Sequence, residues 1–281
     1  MTEQRTKAQW FREMHHDSSI LILPNAWDVI SARIFEAAGF SAVGTTSAGI
    51  AATLGYADGQ NIPCDAMLSI VQRIVSRVQI PVTADIEAGY GATLEETVRN
   101  VDCFIEAGVV GINIEDSTSR SGERQESVFR QAEKIAAIRE LSVTRAIHLV
   151  INARIDTIYH GGREPEKLLE ETFHRSSVYR QAGADCIYVF GFHDKATIRR
   201  LVEGIEAPLN ILVGPTTPAV KELQELGVAR VSIGPRAFLA TLGLTKRIAD
   251  ELVTTGTYES FKHSSMSYQE MIGYFGGNGS V

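Results

Sequence analysis

Four joints of one kind recur along the chain and restrict its architecture more than any other feature. A segment with helical periodicity ends in Ala-Gly or Leu-Gly, and a short apolar run follows at once. The joints are EAAG-FSAVG (36–44), EAG-VVGINIED (106–116), QAG-ADCIYVF (181–190) and ELG-VARVSIG (225–234). Glycine closes a helix in the left-handed conformation, and an uninterrupted apolar run suits a strand buried on both faces. The same pattern places strands near 20–25, 40–46, 81–87, 109–115, 148–154, 185–190, 208–214 and 229–234. Helices are expected between them, among them 64–78, 94–107, 126–141, 165–182, 195–205 and 217–226. Strands joined through helices run parallel, and eight such units close a barrel. The expected fold is therefore α/β, a (β/α)8 TIM barrel. An open doubly wound sheet is the competitor, but no GxGxxG follows the first strand.

The length of 281 residues accommodates one barrel over 1–256 and a tail over 257–281. No linker interrupts the first part. The segment TYESFKHSSMSYQEMIGYF is partly apolar and too short to fold alone, so it is expected to pack as helix on the barrel or on a neighbouring subunit. The final GGNGSV is expected to fray. With 27 Lys+Arg against 34 Asp+Glu the net charge is −7, which argues against nucleic acid or an anionic membrane as the main partner. No apolar run reaches membrane-spanning length, and MTEQRTKAQWFREMHHDSS is too polar for a signal peptide, so a cytoplasmic location is expected. Cys64, Cys103 and Cys186 are scattered thiols without zinc spacing.

In a closed barrel, function collects where strands finish. Strand alternation in VTADIEAGYG (82–91) puts Thr83, Asp85 and Glu87 on one face. Asn113 and Glu115 share a face in GINIEDS (111–117), and Asn152, Arg154 and Asp156 share one in LVINARIDT (149–157). Asp58, in the loop after the second strand, is placed to join them. Two carboxylates about 4 Å apart at an effective dielectric near ~20 repel by about 4 kcal/mol. One arginine cannot balance three or four of them, so a divalent cation is expected. An all-oxygen ligand set points to Mg²⁺, with Mn²⁺ accepting the same ligands. The candidate metal set is Asp85, Glu87, Glu115 and Asp58.

Several neighbouring features carry simpler readings. Asp116 points away from Glu115 and reads as a cap or an arginine partner. Arg154 alone would neutralise Glu115, and Asp156 reads as support. The small-residue run Gly44–Gly49 frees backbone N–H groups to receive an anion. Val213-Gly214-Pro215 and Ile233-Gly234-Pro235-Arg236 follow the seventh and eighth strands and read as turns. All seven lysines fall on expected helices or termini, which argues against a Schiff-base mechanism.

The chain resembles the isocitrate lyase / phosphoenolpyruvate mutase superfamily over nearly its whole length. PNAWD (24–28), TTSAGIAATLGYAD (45–58), TADIEAGYG (83–91), GINIEDS (111–117) and INARID (151–156) match its motifs in order and spacing. The resemblance implies Asp85 as the direct Mg²⁺ ligand, with Asp58, Glu87 and Glu115 holding metal waters. It implies Thr46 and Ser47 at the carboxylate of a 2-oxo acid and Arg154 at the substrate. It also implies a tetramer built from dimers that exchange a C-terminal helix. Glu87 stands where many relatives have Asp. The lyase lid, Lys-(Lys/Arg)-Cys-Gly-His, is absent: the stretch reads Asp116-Ser117-Thr118-Ser119-Arg120-Ser121-Gly122-Glu123. The Lys and Asn of the mutase lid are absent too, although Arg120 offers a charge.

The expected function is Mg²⁺-dependent C–C cleavage, lyase or decarboxylase, on a small oxaloacetate-like 2-oxo acid through a pyruvate enolate. Arg154, Asp58 and Glu115 are the candidate catalytic groups. Thr46, Ser47, Arg154 and, for the distal group, Asn210 are the candidate substrate contacts. A mutase-like or phosphonopyruvate hydrolase-like reaction at a P–C bond is the enzymatic alternative. A barrel that binds a dicarboxylate or metal without turnover is the other.

Overall fold

A computed structural model of the chain describes residues 2–118, 124–160, 164–262 and 265–275. The strands are β1 (Leu21–Leu23), β2 (Asn25–Ala26), β3 (Val43–Thr45), β4 (Val82–Asp85), β5 (Gly111–Glu115), β6 (Ser117–Thr118), β7 (Arg124–Gln125), β8 (Val150–Ile155), β9 (Cys186–Val189), β10 (Leu209–Leu212) and β11 (Arg230–Ser232). Nine of them form one parallel sheet in the order β1-β11-β10-β9-β8-β5-β4-β3-β2. Its two ends, β1 and β2, are consecutive in the chain and parted only by Pro24, so the sheet closes on itself. This is the expected barrel, with its first strand broken at Pro24. Proline has no N–H to give a ladder, but its carbonyl still accepts from Gly44 N at 2.9 Å. The small antiparallel ribbon β6–β7 stands apart from the barrel sheet.

The helices are α1 (Thr2–Glu13), α2 (Val29–Ala37), α3 (Ser47–Thr53), α4 (Cys64–Val75), α5 (Leu94–Glu106), α6 (Val128–Thr144), α7 (Pro165–Gln181), α8 (Lys195–Gly204), α9 (Val220–Leu226), α10 (Arg236–Thr254), α11 (Glu259–Lys262) and α12 (Tyr268–Gly273). Each of the four joint glycines, Gly39, Gly108, Gly183 and Gly227, has a positive φ, between 90° and 110°. Capping explains where several helices begin. Asp28 and Ser31 form a capping box on α2, and Thr93 and Glu96 form one on α5. No helix among the described residues is long and apolar enough to cross a membrane.

The motif PNAWD closes the barrel. Asn25 Oδ1 accepts from Ile233 N (3.0 Å) and Gly234 N (2.8 Å), while its Nδ2 donates to Thr45 O (2.9 Å). One buried amide thereby ties the first strand to its neighbours on either side. Trp27 packs on Phe238 with ring centroids 5.4 Å apart. At the opposite end α1 plugs the barrel. Phe11 is wholly buried, and a Cβ at Gly111 would stand 2.7 Å from its ring. Gln4 Nε2 fixes α1 by donating to the carbonyls of Ile105 (2.8 Å) and Val109 (3.0 Å).

His15, two residues beyond α1, is 3% exposed, and burial with the nearby Arg230 charge pushes its pKa down to about 3. The unfolded imidazole takes a proton near pH 6.5, whereas the folded one stays neutral. The stability tied to neutral His15 is thus complete above pH 6.5 and is lost as pH falls towards 3. The loss approaches about 1.4 kcal/mol per pH unit from this group. His15→Gln is expected to flatten that acid limb in urea midpoints measured between pH 7 and 4. An unchanged limb would show that His15 does not govern it.

Beyond Gly256 the chain turns back on its own barrel, where Arg33 Nε donates to Tyr274 O at 2.9 Å. In α10 only Phe238 is buried, and Leu239, Leu242, Leu252 and Val253 remain exposed. The GGNGSV terminus lies outside the described residues.

Candidate active site

The polar strand ends meet at the C-terminal mouth of the barrel. Asp85 ends β4 and is held on both sides. Its N–H donates to Thr45 Oγ1 (2.9 Å), and its Oδ2 accepts from Ser47 Oγ (2.8 Å) and Ser47 N (3.3 Å). The small-residue run after β3 does receive an anion, namely this carboxylate. The Thr46 side chain, 2% exposed, is engaged elsewhere and caps α3, with Oγ1 accepting from Gly49 N at 3.4 Å.

Glu115 and Arg154 are register partners on β5 and β8, and Arg154 Nη1 donates to Glu115 Oε2 at 2.7 Å. Arg154 Nε donates to Asp156 Oδ1, also at 2.7 Å, and Ser117 Oγ donates to Asp156 Oδ2. The guanidinium carbon lies 4.3 Å from the Phe190 ring centroid and 5.9 Å from that of Tyr188. Arg154 is thus pinned by two carboxylates at its edge and aromatic rings over its face. Burial raises the Glu115 carboxyl well above its usual range in spite of Arg154.

Glu87 departs from what strand alternation predicts. β4 ends at Asp85, and Glu87 has φ +50°, so the extended zigzag does not carry its side chain. A loop cluster carries it instead. Tyr90 OH donates to Glu87 Oε1 (2.9 Å), Gln60 N donates to Oε2, and Gln60 Oε1 accepts from Tyr90 N (2.7 Å). Gln60 and Tyr90 also have positive φ, 56° and 58°. Three non-glycine residues held left-handed on two linked loops mark a place where local geometry is over-determined. Burial pushes the Glu87 carboxyl up to about 7, with the Asp85 and Asp58 charges adding to it. Asp58, on the exposed loop after α3, is likewise raised, by desolvation at the rim and then by Asp85.

The four acidic side chains therefore feel one another, yet no three His, Cys, Asp or Glu side chains among the described residues are grouped closely enough to chelate one ion directly. This arrangement suits a hydrated hard cation, which takes one or two carboxylates directly and the others through water. The donor set fits Mg²⁺: it is all oxygen and crowded, and burial with neighbouring carboxylates raises Asp58, Glu87 and Glu115.

Other expected site residues fall elsewhere. Asn210 is wholly buried inside the barrel, where Ser232 Oγ donates to its Oδ1 at 3.0 Å. Asp116 is structural, as its pattern suggested. It accepts from Arg175 Nη1 (3.0 Å), Tyr179 OH (2.8 Å), Gln125 Nε2 (3.0 Å) and Asp156 N (3.0 Å). The two Gly-Pro segments satisfy themselves internally: Gly214 N donates to Thr217 Oγ1, and Ile233 N and Gly234 N go to Asn25. Arg120 and the centre of the stretch read as a lid lie outside the described residues. Sequence reasoning missed Tyr188 and Phe190, although their spacing of two at a strand end signals a shared inward face. It also missed Gln60 and Tyr90.

A closed parallel barrel with carboxylates and one pinned arginine at its C-terminal mouth defines an α/β-barrel of enzymatic type. The comparisons with known proteins give the family. A family model described as phosphoenolpyruvate phosphomutase matches residues 11–253, and the chain belongs to that family, within the isocitrate lyase / phosphoenolpyruvate mutase superfamily. An uncharacterized protein of Mycobacterium tuberculosis is 35% identical over 232 residues, covering 83% of this chain and 84% of the relative. An oxaloacetate decarboxylase of Pseudomonas fluorescens is 30% identical over 243 residues, covering 84% and 81%. A solved structure from Burkholderia cenocepacia J2315, provisionally assigned as a lyase/mutase, superposes with TM-score 0.90 at 33% identity, covering 98% of this chain and 97% of that one. Members of the superfamily are lyases or mutases.

Proposed function

We propose that the protein is a Mg²⁺-dependent carbon–carbon lyase acting on a small 2-oxo acid, with decarboxylation of an oxaloacetate-like substrate as its reaction. The observation that carries this reading is the mouth itself: Asp85 bonded to Ser47 on one side, and Glu115–Arg154–Asp156 on the other. The similarity to an oxaloacetate decarboxylase supports the choice of substrate.

Asp85 would hold the cation directly, with Asp58, Glu87 and Glu115 reaching it through water. Bound Mg²⁺ supplies Lewis-acid stabilisation of negative charge on the oxo-acid oxygen. Ser47 orients the substrate carboxylate beside Asp85, while Thr46, whose N–H donates to Ala26 O and whose side chain caps α3, fixes the turn that presents Ser47. Arg154 keeps donors free after serving Glu115 and Asp156, and its fixed plane offers them to the same developing charge. The C3–C4 bond breaks, CO₂ departs, and the electron pair moves into an enolate. A proton from water at C3 then yields pyruvate. The aromatic faces of Tyr188 and Phe190 exclude water from the guanidinium side. We also propose a homo-oligomer in which the exposed leucines of α10, together with the adjoining chain after Gly256, meet a neighbouring copy. Truncation after Gly256 is expected to lower the mass by light scattering, and an unchanged mass would sink that idea.

The test is ¹H and ³¹P NMR of the protein with Mg²⁺ and, separately, oxaloacetate, 2-methylisocitrate and phosphonopyruvate. Pyruvate from oxaloacetate, above the metal-only blank and lost with EDTA, is the expected result. Phosphate with pyruvate from phosphonopyruvate would move the reaction to a P–C bond, and pyruvate with succinate would show that the lid cysteine is dispensable. No turnover of any of the three would contradict the decarboxylase reading and favour a non-catalytic binder.

A further inference from the structure

Beneath the carboxylates the barrel interior carries a charge that the proposed chemistry does not use. Arg230, on β11, is wholly buried. Its Nη2 donates to Asn113 Oδ1 at 3.2 Å, and its Nη1 faces His15 Nε2 at 3.5 Å. His15 Nδ1 lies 2.8 Å from Phe11 O, which makes Nδ1 the donor and leaves Nε2 as the acceptor facing Arg230. Among the described residues Arg230 Nε has no hydrogen-bond partner, and neither have the buried atoms Asn210 Nδ2, on the register partner of Arg230 in β10, Asn152 Oδ1 and Thr83 Oγ1. Among the described residues no carboxylate lies within ion-pair distance of Arg230. The other two arginines buried or nearly so, Arg154 and Arg175, each pair with two carboxylates.

A guanidinium keeps its proton in a protein, so this is a permanent interior cation with neutral neighbours only. Such a charge weakens a fold. Its anchor shows what lies above it. Asn113 is the register partner of Asp85 and stands two residues before Glu115 on β5. The Asp85 charge is also felt at Arg230. The mouth above gathers Asp58, Asp85, Glu87, Glu115 and Asp156 against Arg154 alone, and an anionic substrate would add to the negative side.

We infer that Arg230 is a positioning residue: a fixed cation in the barrel floor whose field, acting upward through the Asn113 layer, stabilises negative charge on the ligand held at the mouth, while reducing the stability of the fold. The inference rests on the proposed function, because it needs an anionic ligand at that mouth.

The test is calorimetric titration of oxalate into Mg²⁺-loaded wild type, Arg230→Met and Arg230→Lys, with thermal unfolding of the metal-free proteins. Arg230→Met is expected to weaken oxalate binding about tenfold, since an interior charge acts through a low effective dielectric. Its Mg²⁺ affinity should not weaken, because the lost charge repelled the cation, and its metal-free Tm should be no lower than wild type. Arg230→Lys should restore oxalate affinity to within about threefold, because the charge is kept. Equal oxalate affinity in wild type and Arg230→Met overturns this inference alone. So does a lowered Tm or failure to fold in Arg230→Met, which would make the arginine a structural element, and so does a lysine variant that behaves like methionine. If the wild type itself takes up no oxalate, the proposed function fails and this inference fails with it.

Discussion

Asp85→Ala is expected to remove oxaloacetate turnover by at least about 10³-fold, roughly 4 kcal/mol of transition-state stabilisation at ~1.36 kcal/mol per tenfold. Asp85 is the carboxylate on which the proposed site centres, joined to Ser47 by two hydrogen bonds and to Thr45 by a third. The third uses the Asp85 backbone N–H and survives the substitution. The companion expectation concerns stability. Removing one member of a crowded acidic set relieves repulsion with Glu87 and Asp58, so the metal-free variant should melt no lower than wild type. Pyruvate formation and thermal unfolding, measured side by side, check both. A variant that keeps a tenth of wild-type turnover would remove Asp85 from the centre of the mechanism. A variant that loses activity and stability together would make Asp85 a structural residue.

The second large effect is on stability. Asp116→Ala is expected to destabilise the fold by about 3–5 kcal/mol, the range for breaking a buried pair by removing one partner. Asp116 is wholly buried and serves Arg175, Tyr179, Gln125 and the Asp156 backbone at once. Its loss leaves the Arg175 guanidinium buried with Glu171 as its remaining carboxylate. For a chain of this size the shift in Tm is on the order of 10 °C. The exposed pair Arg200–Glu166, 2.7 Å apart, provides the control, because its disruption should alter stability by less than about 1 kcal/mol. Urea unfolding of both variants measures the contrast. An Asp116→Ala loss no larger than the control's would show that water replaces the carboxylate. Because Asp116 also holds the Asp156 N–H, and Asp156 holds Arg154, activity should fall as well, without being abolished.

The fold was legible because its signals are local and repeated. The four joint glycines mark helix ends that require a left-handed residue, and the apolar runs after them have one way to be buried between helices. Both signals survive folding unchanged. The break of the first strand at Pro24 was hidden because the apolar run 20–23 leads straight into it, and α1 and α3 lack the joint pattern that located their neighbours. At the site, strand alternation worked where the backbone is extended. Glu115 and Arg154 share a face, and their ion pair follows from register. The same rule failed at Glu87, two residues past Asp85, because a positive φ replaces the zigzag there.

Other residues escaped for reasons of distance. Gln60 and Tyr90 cooperate across 30 positions of sequence, which no spacing rule reaches. Asn25 looks like part of a chemical motif, but its amide links strands that are far apart in the chain. Arg230 reads as one polar residue in an apolar strand. That it lacks a carboxylate partner among the described residues depends on what the opposite wall of the barrel presents.

The most direct measurement is the anomalous difference map of crystals soaked with Mn²⁺ and oxalate. One strong peak is expected, bonded to an Asp85 carboxylate oxygen, with Asp58, Glu87 and Glu115 reaching it through waters and oxalate completing its coordination near Ser47 and Arg154. A map with no peak at Asp85, or with the cation bound away from this mouth, would contradict the claim that these carboxylates form a metal-assisted 2-oxo acid site.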